Sequence, residues 1–127
     1  MHRNTFIDSP RLLDGTFNLK SDKRIFFAGQ ITGVEGYIES AASGILAGLA
    51  MVAKLDGKQI TAPPVDTMLG ALCNYISSEE IVDFQPMGCN MGILPPLLEI
   101  VKGKEPRYTA LAERAIASMK EYAQTIL

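Results

Sequence analysis

Residues 25–44 constrain the fold more than any other part of the chain. They begin with a short apolar run, residues 25–28, whose aromatic and β-branched content is typical of a strand buried on both faces of a parallel sheet. Gly29, Gly33 and Gly36 follow, and they allow the backbone to turn sharply and to approach a ligand closely. This order predicts an α/β fold that contains a strand, a glycine-rich loop and a helix.

The helix after this loop is predicted to end near Leu55, with Gly57 as a left-handed residue just beyond its end. Ser40, Gly44 and Gly48 recur every four residues, which predicts a face that a sheet or a cofactor approaches closely. The adjoining face is expected to supply ordinary core burial through Ala41, Ile45, Leu49 and Val52. A tightly packed helix without any ligand fits the same pattern, so both interpretations stay open.

The start of this helix is a candidate site for an electron-rich ligand. Its first N–H groups and the positive end of its dipole point back into the glycine loop. Phosphates, carbonyls or the pyrimidine edge of a flavin are the natural occupants, which predicts a nucleotide-cofactor protein. The glycine spacing G-x-x-x-G-x-x-G is not the dinucleotide fingerprint G-x-G-x-x-G, and Asp56 lies in the helix-ending turn, where it is a poor ribose-binding acid. The pattern therefore fits a later strand of a Rossmann-like fold.

The rest of the chain is predicted to hold two more helices and one irregular segment. Asp66 or Thr67 is expected to cap a short helix, and an amphipathic helix is predicted from about Tyr108 to Ile126, with Pro106 just ahead of it. Residues 84–98 contain too many prolines and glycines for one regular element. An apolar loop beside a planar ligand and a loop that only covers the core are equally compatible with this composition.

The chemistry-bearing residues exclude several kinds of site. Cys73 and Cys89 are too few and too far apart for a zinc site or a CxxC redox pair, so no metal site is predicted and both thiols are expected to be free. His2 is the only histidine, and neither it nor any other residue of the chain is predicted to be catalytic. Nothing resembles a signal peptide or a membrane span, so we expect a cytoplasmic protein without a membrane partner.

The net charge of −2 gives no bulk attraction to nucleic acid. Two small basic groups could contact phosphates, although such groups are more often solvated surface: Lys20, Lys23 and Arg24, and Lys102, Lys104 and Arg107.

The sequence FAGQITGVEGY of residues 27–37, continued by ESAASG, resembles the folate- and FAD-dependent tRNA (uracil-5-)-methyltransferases. Three further segments resemble the same family in the same order, so that essentially the whole chain is covered: residues 1–10, residues 69–76 and residues 84–96. A second flavoprotein family, the large subunit of the tRNA wobble-uridine carboxymethylaminomethyl enzyme, shares Phe-Ala-Gly-Gln and Gly-Tyr but lacks Val34-Glu35 and Gln85-Pro86-Met87.

The resemblance implies that the chain is the C-terminal portion of a longer flavoenzyme. Residues 1–57 would close a Rossmann-like FAD/NAD(P)-binding fold, and residues 58–127 would form a C-terminal extension of helices and loops. The enzyme would methylate uracil C5 in the T-loop of tRNA with FAD, methylenetetrahydrofolate as carbon donor and NAD(P)H as reductant. The chain alone, without the N-terminal FAD-binding part, is expected to be inactive and to self-associate through exposed apolar surface. A non-catalytic structural or binding remnant is a further alternative.

The resemblance also implies a set of flavin-binding residues: Gly29, Gln30, Ile31, Thr32, Gly33, Gly36, Tyr37 and Ile38. The first two would lie near the ribityl chain and the ring, the next three beneath the ring, and the last three would direct N–H groups at its pyrimidine edge. A helix N-terminus suits this task because a reduced flavin carries negative charge near N1. Asn90 is the expected substrate contact, and Glu39 is expected to complement the helix dipole.

The opening residues His2, Arg3, Asn4 and Thr5 form a polar cluster that the resemblance places on the active-site side.

Overall fold

The computed structural model describes residues 5–127 and consists of helices joined by irregular segments. The helices are α1, Ser9–Leu12; α2, Tyr37–Leu55; α3, Met68–Ser77; and α4, Lys104–Ile126. Single 3-10 turns occur at Gln30–Thr32 and Met91–Ile93. Within these described residues there is no β-strand, and β pairing is limited to isolated bridges.

The predicted α/β, Rossmann-like fold is therefore wrong for this chain. In the expected strand, Phe26 forms a single antiparallel bridge with Asn18, and Ile25 is 41% exposed instead of buried. A strand becomes regular only when a neighbour pairs with successive N–H and C=O groups. Here the aromatic rings of Phe26 and Phe27 pack against the core, so the apolar run is buried in part by side-chain packing without sheet formation.

Helix α3 lies at the centre of the fold and packs against α1, α2 and the turn at Met91–Ile93. Thr67 caps it, as predicted, because its hydroxyl oxygen accepts the N–H of Gly70 at 2.9 Å. The main core cluster combines residues of α2 and α3 with residues of the irregular segments: Leu13, Phe17, Val34, Leu46, Ala47, Cys73, Ile76 and Phe84. A smaller cluster of Ala71, Leu94 and Leu111 joins α3 to α4.

The end of α2 agrees with its prediction, but its buried face does not. Gly57 has φ +72°, and its N–H donates to the carbonyl of Lys54, which closes the helix as expected. The predicted core residues Ile45 and Val52 are 66% and 57% exposed, and the helix instead buries Ser43, Leu46, Ala47 and Ala50. The buried face contains a serine that is hydrogen-bonded in place, so hydropathy alone indicated the wrong side of the helix.

Helix α2 is also long and apolar enough, by composition, to cross a membrane, with a mean hydropathy of 1.4. One side of the helix packs against α3 and the core, but only 22% of this stretch is buried. Helix hydropathy alone is therefore weak evidence for a membrane span here.

Helix α4 begins four residues earlier than predicted, at Lys104, and includes Pro106 in its first turn. Proline is tolerated there because the first N–H groups of a helix have no partner within the helix. Of its predicted apolar face, Leu111 is buried whereas Ile116 is largely exposed. Its attachment relies on hydrogen bonds as well, since Tyr122 donates its hydroxyl to the carbonyl of Thr61 at 2.6 Å.

Candidate functional site

The predicted glycine loop is a tight turn that leads directly into α2. Gly29 has φ +83° and Gly33 has φ +93°, both in the region that favours glycine. Between them, the N–H and the hydroxyl of Thr32 both donate to the carbonyl of Gly29, at 3.0 and 2.7 Å. The loop thus has a defined shape before any ligand is added.

Two buried serines fix this turn to its neighbours. The hydroxyl of Ser9 donates to the carbonyl of Thr32 at 2.6 Å. Ser43 accepts the N–H of Gly29 at 2.8 Å and donates to the carbonyl of Ser40 at 2.7 Å, which ties the loop to α2. The sequence argument missed Ser43, although a lone hydroxyl on the same helical face as Leu46 and Ala50 was a usable signal.

The predicted cofactor residues divide into an outward group and a structural group. Tyr37 and Ile38 are 94% and 82% exposed, and Gln30 and Ile31 also reach the surface. A β-carbon on Gly29 would meet nothing within 4 Å, so open space lies beside it.

Thr32, Gly33 and Gly36 form the structural group. Thr32 is fully buried. A side chain on Gly33 would collide with the ring of Phe84, and one on Gly36 would collide with the carboxylate of Glu39. Gly33 is therefore explained by packing against Phe84 and Gly36 by its φ of +113°, in both cases without any ligand.

The first amides of α2 lie beside the exposed group. No side chain caps this helix, whose N-cap residue is Gly36 with φ +113°. Within the described residues, the main-chain N–H groups of Tyr37 and Ile38 make no hydrogen bond. These donors, with the positive end of the helix dipole, are available to an electron-rich group.

The irregular segment at 84–98 borders the glycine loop and also places Phe84 and Leu94 in the core, so both interpretations of this segment stay open. The N–H of Met87 donates to the carbonyl of Gly33 at 2.8 Å, and the N–H of Glu35 donates to the carbonyl of Met87 at 2.9 Å. The carboxylate of Glu39 accepts the N–H of Cys89 at 3.0 Å. Glu39 thus joins the first turn of α2 to this segment, in addition to its predicted position beside the helix dipole.

Asn90, the predicted substrate contact, is exposed but already engaged locally. Its amide nitrogen donates to the carbonyl of Gly88 at 3.1 Å and contacts the sulfur of Met87 at 3.5 Å. From the opening polar cluster, Thr5 is exposed, whereas His2, Arg3 and Asn4 lie outside the described residues.

The two cysteines are free, as expected. Burial raises the pKa of Cys73 to about 12, so this thiol stays protonated inside the core. Desolvation, followed by the charge of Glu39, raises the pKa of Cys89 next to the glycine loop. Neither thiol has the lowered pKa that makes a cysteine nucleophilic.

Known proteins resemble this chain in sequence over its whole length. The family model described as glucose inhibited division protein A matches residues 1–59. The methylenetetrahydrofolate--tRNA-(uracil-5-)-methyltransferase TrmFO of Syntrophomonas wolfei is 50% identical over 127 residues, which are 100% of this chain and 29% of that protein. The protein of the same name from Heliobacterium modesticaldum is 52% identical over 96% of this chain and 28% of its own length. The one from Geotalea uraniireducens is 53% identical over 99% of this chain and 29% of its own length. The resemblance to the tRNA (uracil-5-)-methyltransferase family is confirmed.

The match extends over the whole chain but over only about 29% of the length of these methyltransferases. It includes the glycine loop, the start of α2 and the segment at 84–98, which are the parts that meet at the site described above. The segments that form the site therefore lie within the region that matches these methyltransferases.

Proposed function

We propose that this chain is part of a folate- and FAD-dependent enzyme that methylates uracil C5 in tRNA, and that it supplies part of the flavin site. The similarity to TrmFO proteins over the full chain supports the reaction. The two unpaired amides at the start of α2, next to a preformed glycine loop, support the flavin role.

The described residues fit a flavin edge. The N–H groups of Tyr37 and Ile38 are donors without an internal acceptor, and Gly29 leaves open space beside its backbone. The exposed side chain of Ile31 offers an apolar contact for a ring. Such preorganised donors stabilise negative charge without a side-chain cation.

The eight predicted residues would then have different tasks. Gly29, Gln30, Ile31, Tyr37 and Ile38 would contact the flavin, because they face outward. Thr32, Gly33 and Gly36 would hold the loop in shape from within. The locally bonded amide of Asn90 would need to rotate away from Gly88 to contact a substrate.

The cofactor and the partners of the reaction belong to the same proposal. When bound, the reduced flavin supplies reducing equivalents for the transferred one-carbon unit. Methylenetetrahydrofolate would provide that unit, NAD(P)H would reduce the flavin, and a T-loop uridine would be the substrate in the bacterial cytoplasm. The nucleophilic chemistry would come from the rest of the enzyme, and this chain would represent its C-terminal portion.

A chimera tests this proposal directly. In the Syntrophomonas wolfei protein, the segment that matches this chain over 127 residues is replaced by the chain itself. We expect the purified chimera to retain FAD and to form 5-methyluridine in tRNA when methylenetetrahydrofolate is added. A Gly29→Val substitution should lower the flavin content, whereas Gly57→Ala, at a positive-φ glycine at the opposite end of α2, should not.

The outcomes separate the alternatives. A folded chimera that holds no flavin would contradict the proposed site, and flavin retention without 5-methyluridine would contradict the proposed reaction. A modified wobble uridine in place of 5-methyluridine would favour the carboxymethylaminomethyl flavoprotein. The isolated chain is expected to bind FAD only very weakly, so micromolar affinity in a titration would contradict our assignment of most flavin contacts to the rest of the enzyme.

A further inference from the structure

A second candidate site lies at the other end of α2, in a cavity of about 630 Å³. A cavity of this volume is large enough for a small-molecule ligand or one nucleotide. Lys54, near the end of α2, and Lys58, just after it, are both among the residues that line it. The length of α2 separates this cavity from Tyr37 by roughly 25 Å, at 1.5 Å of rise per residue.

Cations dominate the rim of this cavity. Lys23, Lys54 and Lys58 line it together, and Asp14 is the one carboxylate among the lining residues. On a chain with net charge −2, this is a local concentration of positive charge.

The structure also positions these cations. The ammonium group of Lys54 donates to the carbonyl of Lys23, which holds the two lysines side by side. Asp14 is occupied: one of its oxygens accepts from Thr16 and Asn18, and the other lies 3.4 Å from the ammonium of Lys23. Within the described residues, Lys58 has no carboxylate partner, so it is available to an anion.

The lining of the cavity also includes apolar residues. Phe26, Ala50, Ile60 and Ala62 contribute to the lining, and Phe26 is only half-buried. An aromatic ring next to lysines is the combination by which proteins bind single-stranded nucleic acid, since the bases stack and the cations follow the phosphates.

We propose that this cavity binds RNA, with one base against Phe26 and the adjoining phosphates at Lys23, Lys54 and Lys58. The choice of RNA as the ligand rests on the proposed function, whereas the chemistry of the site rests on the cavity itself. The site would hold the RNA away from the reacting uracil, because the flavin-site residues lie at the opposite end of α2.

Fluorescence anisotropy of a labelled RNA hairpin with a uridine-rich loop tests the proposal on the full 127-residue chain. The triple variant Lys23→Gln, Lys54→Gln, Lys58→Gln removes the rim charges. The control Arg11→Gln, Arg114→Gln, Lys120→Gln removes the same charge outside the cavity and outside both basic groups. We expect the affinity of the first variant for the RNA to fall by about tenfold or more. The slope of log affinity against log salt concentration should become smaller in magnitude by about 3. The control should keep the original affinity and the original slope.

Phe26→Leu keeps the apolar volume but removes the stacking surface, so it should weaken binding by about fivefold without changing the salt slope. Circular dichroism shows whether each variant remains folded. Equal losses in the two triple variants would overturn the proposal. A competition experiment gives a second test, in which uridine monophosphate or unlabelled hairpin displaces the labelled RNA. If both competitors act at the same concentration, the proposal is overturned and the cavity is assigned to a free nucleotide.

Failure of this inference can be told apart from failure of the proposed function. The chimera described above reports flavin content and methylation independently of RNA affinity. If the chimera retains flavin but substitution of the three lysines leaves the RNA affinity unchanged, only the assignment of the cavity is wrong.

Discussion

The ring of Phe84 fills the space in which a side chain on Gly33 would lie. The same ring packs against Tyr75 and Phe6, with centroid distances of 5.4 and 5.8 Å. The glycine loop and the irregular segment at 84–98 are therefore held together by an aromatic cluster as well as by backbone hydrogen bonds. This packing fixes the mutual position of the two chain segments that border the candidate flavin site.

Gly33→Ala should destabilise the chain by more than about 2 kcal/mol, because the added methyl group must displace the Phe84 ring and adopt a positive φ. Gly57→Ala is the matched control, since Gly57 has a positive φ of +72° but open space beside it. It should cost only about 1 kcal/mol. Urea unfolding measures both, and equal costs would contradict the importance of the ring contact.

Glu39→Ala should loosen the segment at 84–98, because it leaves the N–H of Cys89 without its acceptor. We expect a loss of about 1 kcal/mol in stability and faster proteolysis near Cys89. Glu39→Gln keeps an acceptor oxygen and should be milder. Glu35→Ala serves as a control because that side chain is exposed. Equal proteolysis rates for the Glu35 and Glu39 variants would show that the link is unimportant.

Substitution by alanine at two helical glycines should change the stability of the chain in opposite directions. Gly44→Ala should stabilise the isolated chain by about 1 kcal/mol, because its side-chain space is empty and alanine favours helix. Gly70→Ala should be strongly destabilising, since its methyl group would overlap the carbonyl oxygen of Pro64. Thermal unfolding of both variants tests this difference. A destabilised Gly44→Ala variant would show that something covers this face of α2 in solution.

The sequence predicted the start of α3 and the end of α2 well because the signals for both are local. Thr67 and Gly57 act through their own neighbouring backbone groups, so capping rules identified them. The predicted sheet was wrong because residues 25–28 have strand composition, whereas strand pairing depends on which other segments are adjacent.

The candidate site was predicted in part. The order of glycines located the loop and the helix start, but it could not distinguish Gly29, which has open space, from Gly33, which is filled by Phe84. That distinction depends on a contact between residues distant in sequence. The buried hydroxyl of Ser43 was missed for a related reason, since only the fold reveals its bond to Gly29.

Cys73 should make stability fall in alkaline solution. Its pKa rises from 9.0 to about 12 on folding, so above pH 9 the unfolded chain releases this proton while the folded chain keeps it. The free energy of unfolding should then decrease by roughly 1 kcal/mol per pH unit up to about pH 12. Comparison with Cys73→Ala isolates this contribution, because the variant lacks the thiol. Parallel pH profiles for the two proteins would contradict the assignment.

The exposed face of α2 should cause the isolated chain to self-associate. Tyr37, Ile45, Val52 and Leu55 lie on one side of this helix and are all largely exposed. Because α2 carries its charged residues Glu39 and Lys54 elsewhere, this side is continuously uncharged and favours association. Sedimentation velocity should show mass increasing with concentration, and Ile45→Lys with Val52→Lys should suppress that increase. The control Leu98→Lys with Ile100→Lys adds the same charge at exposed apolar residues outside the helix and should leave association unchanged. A monomer at every concentration, or equal suppression by both pairs, would show that this face of α2 does not drive association.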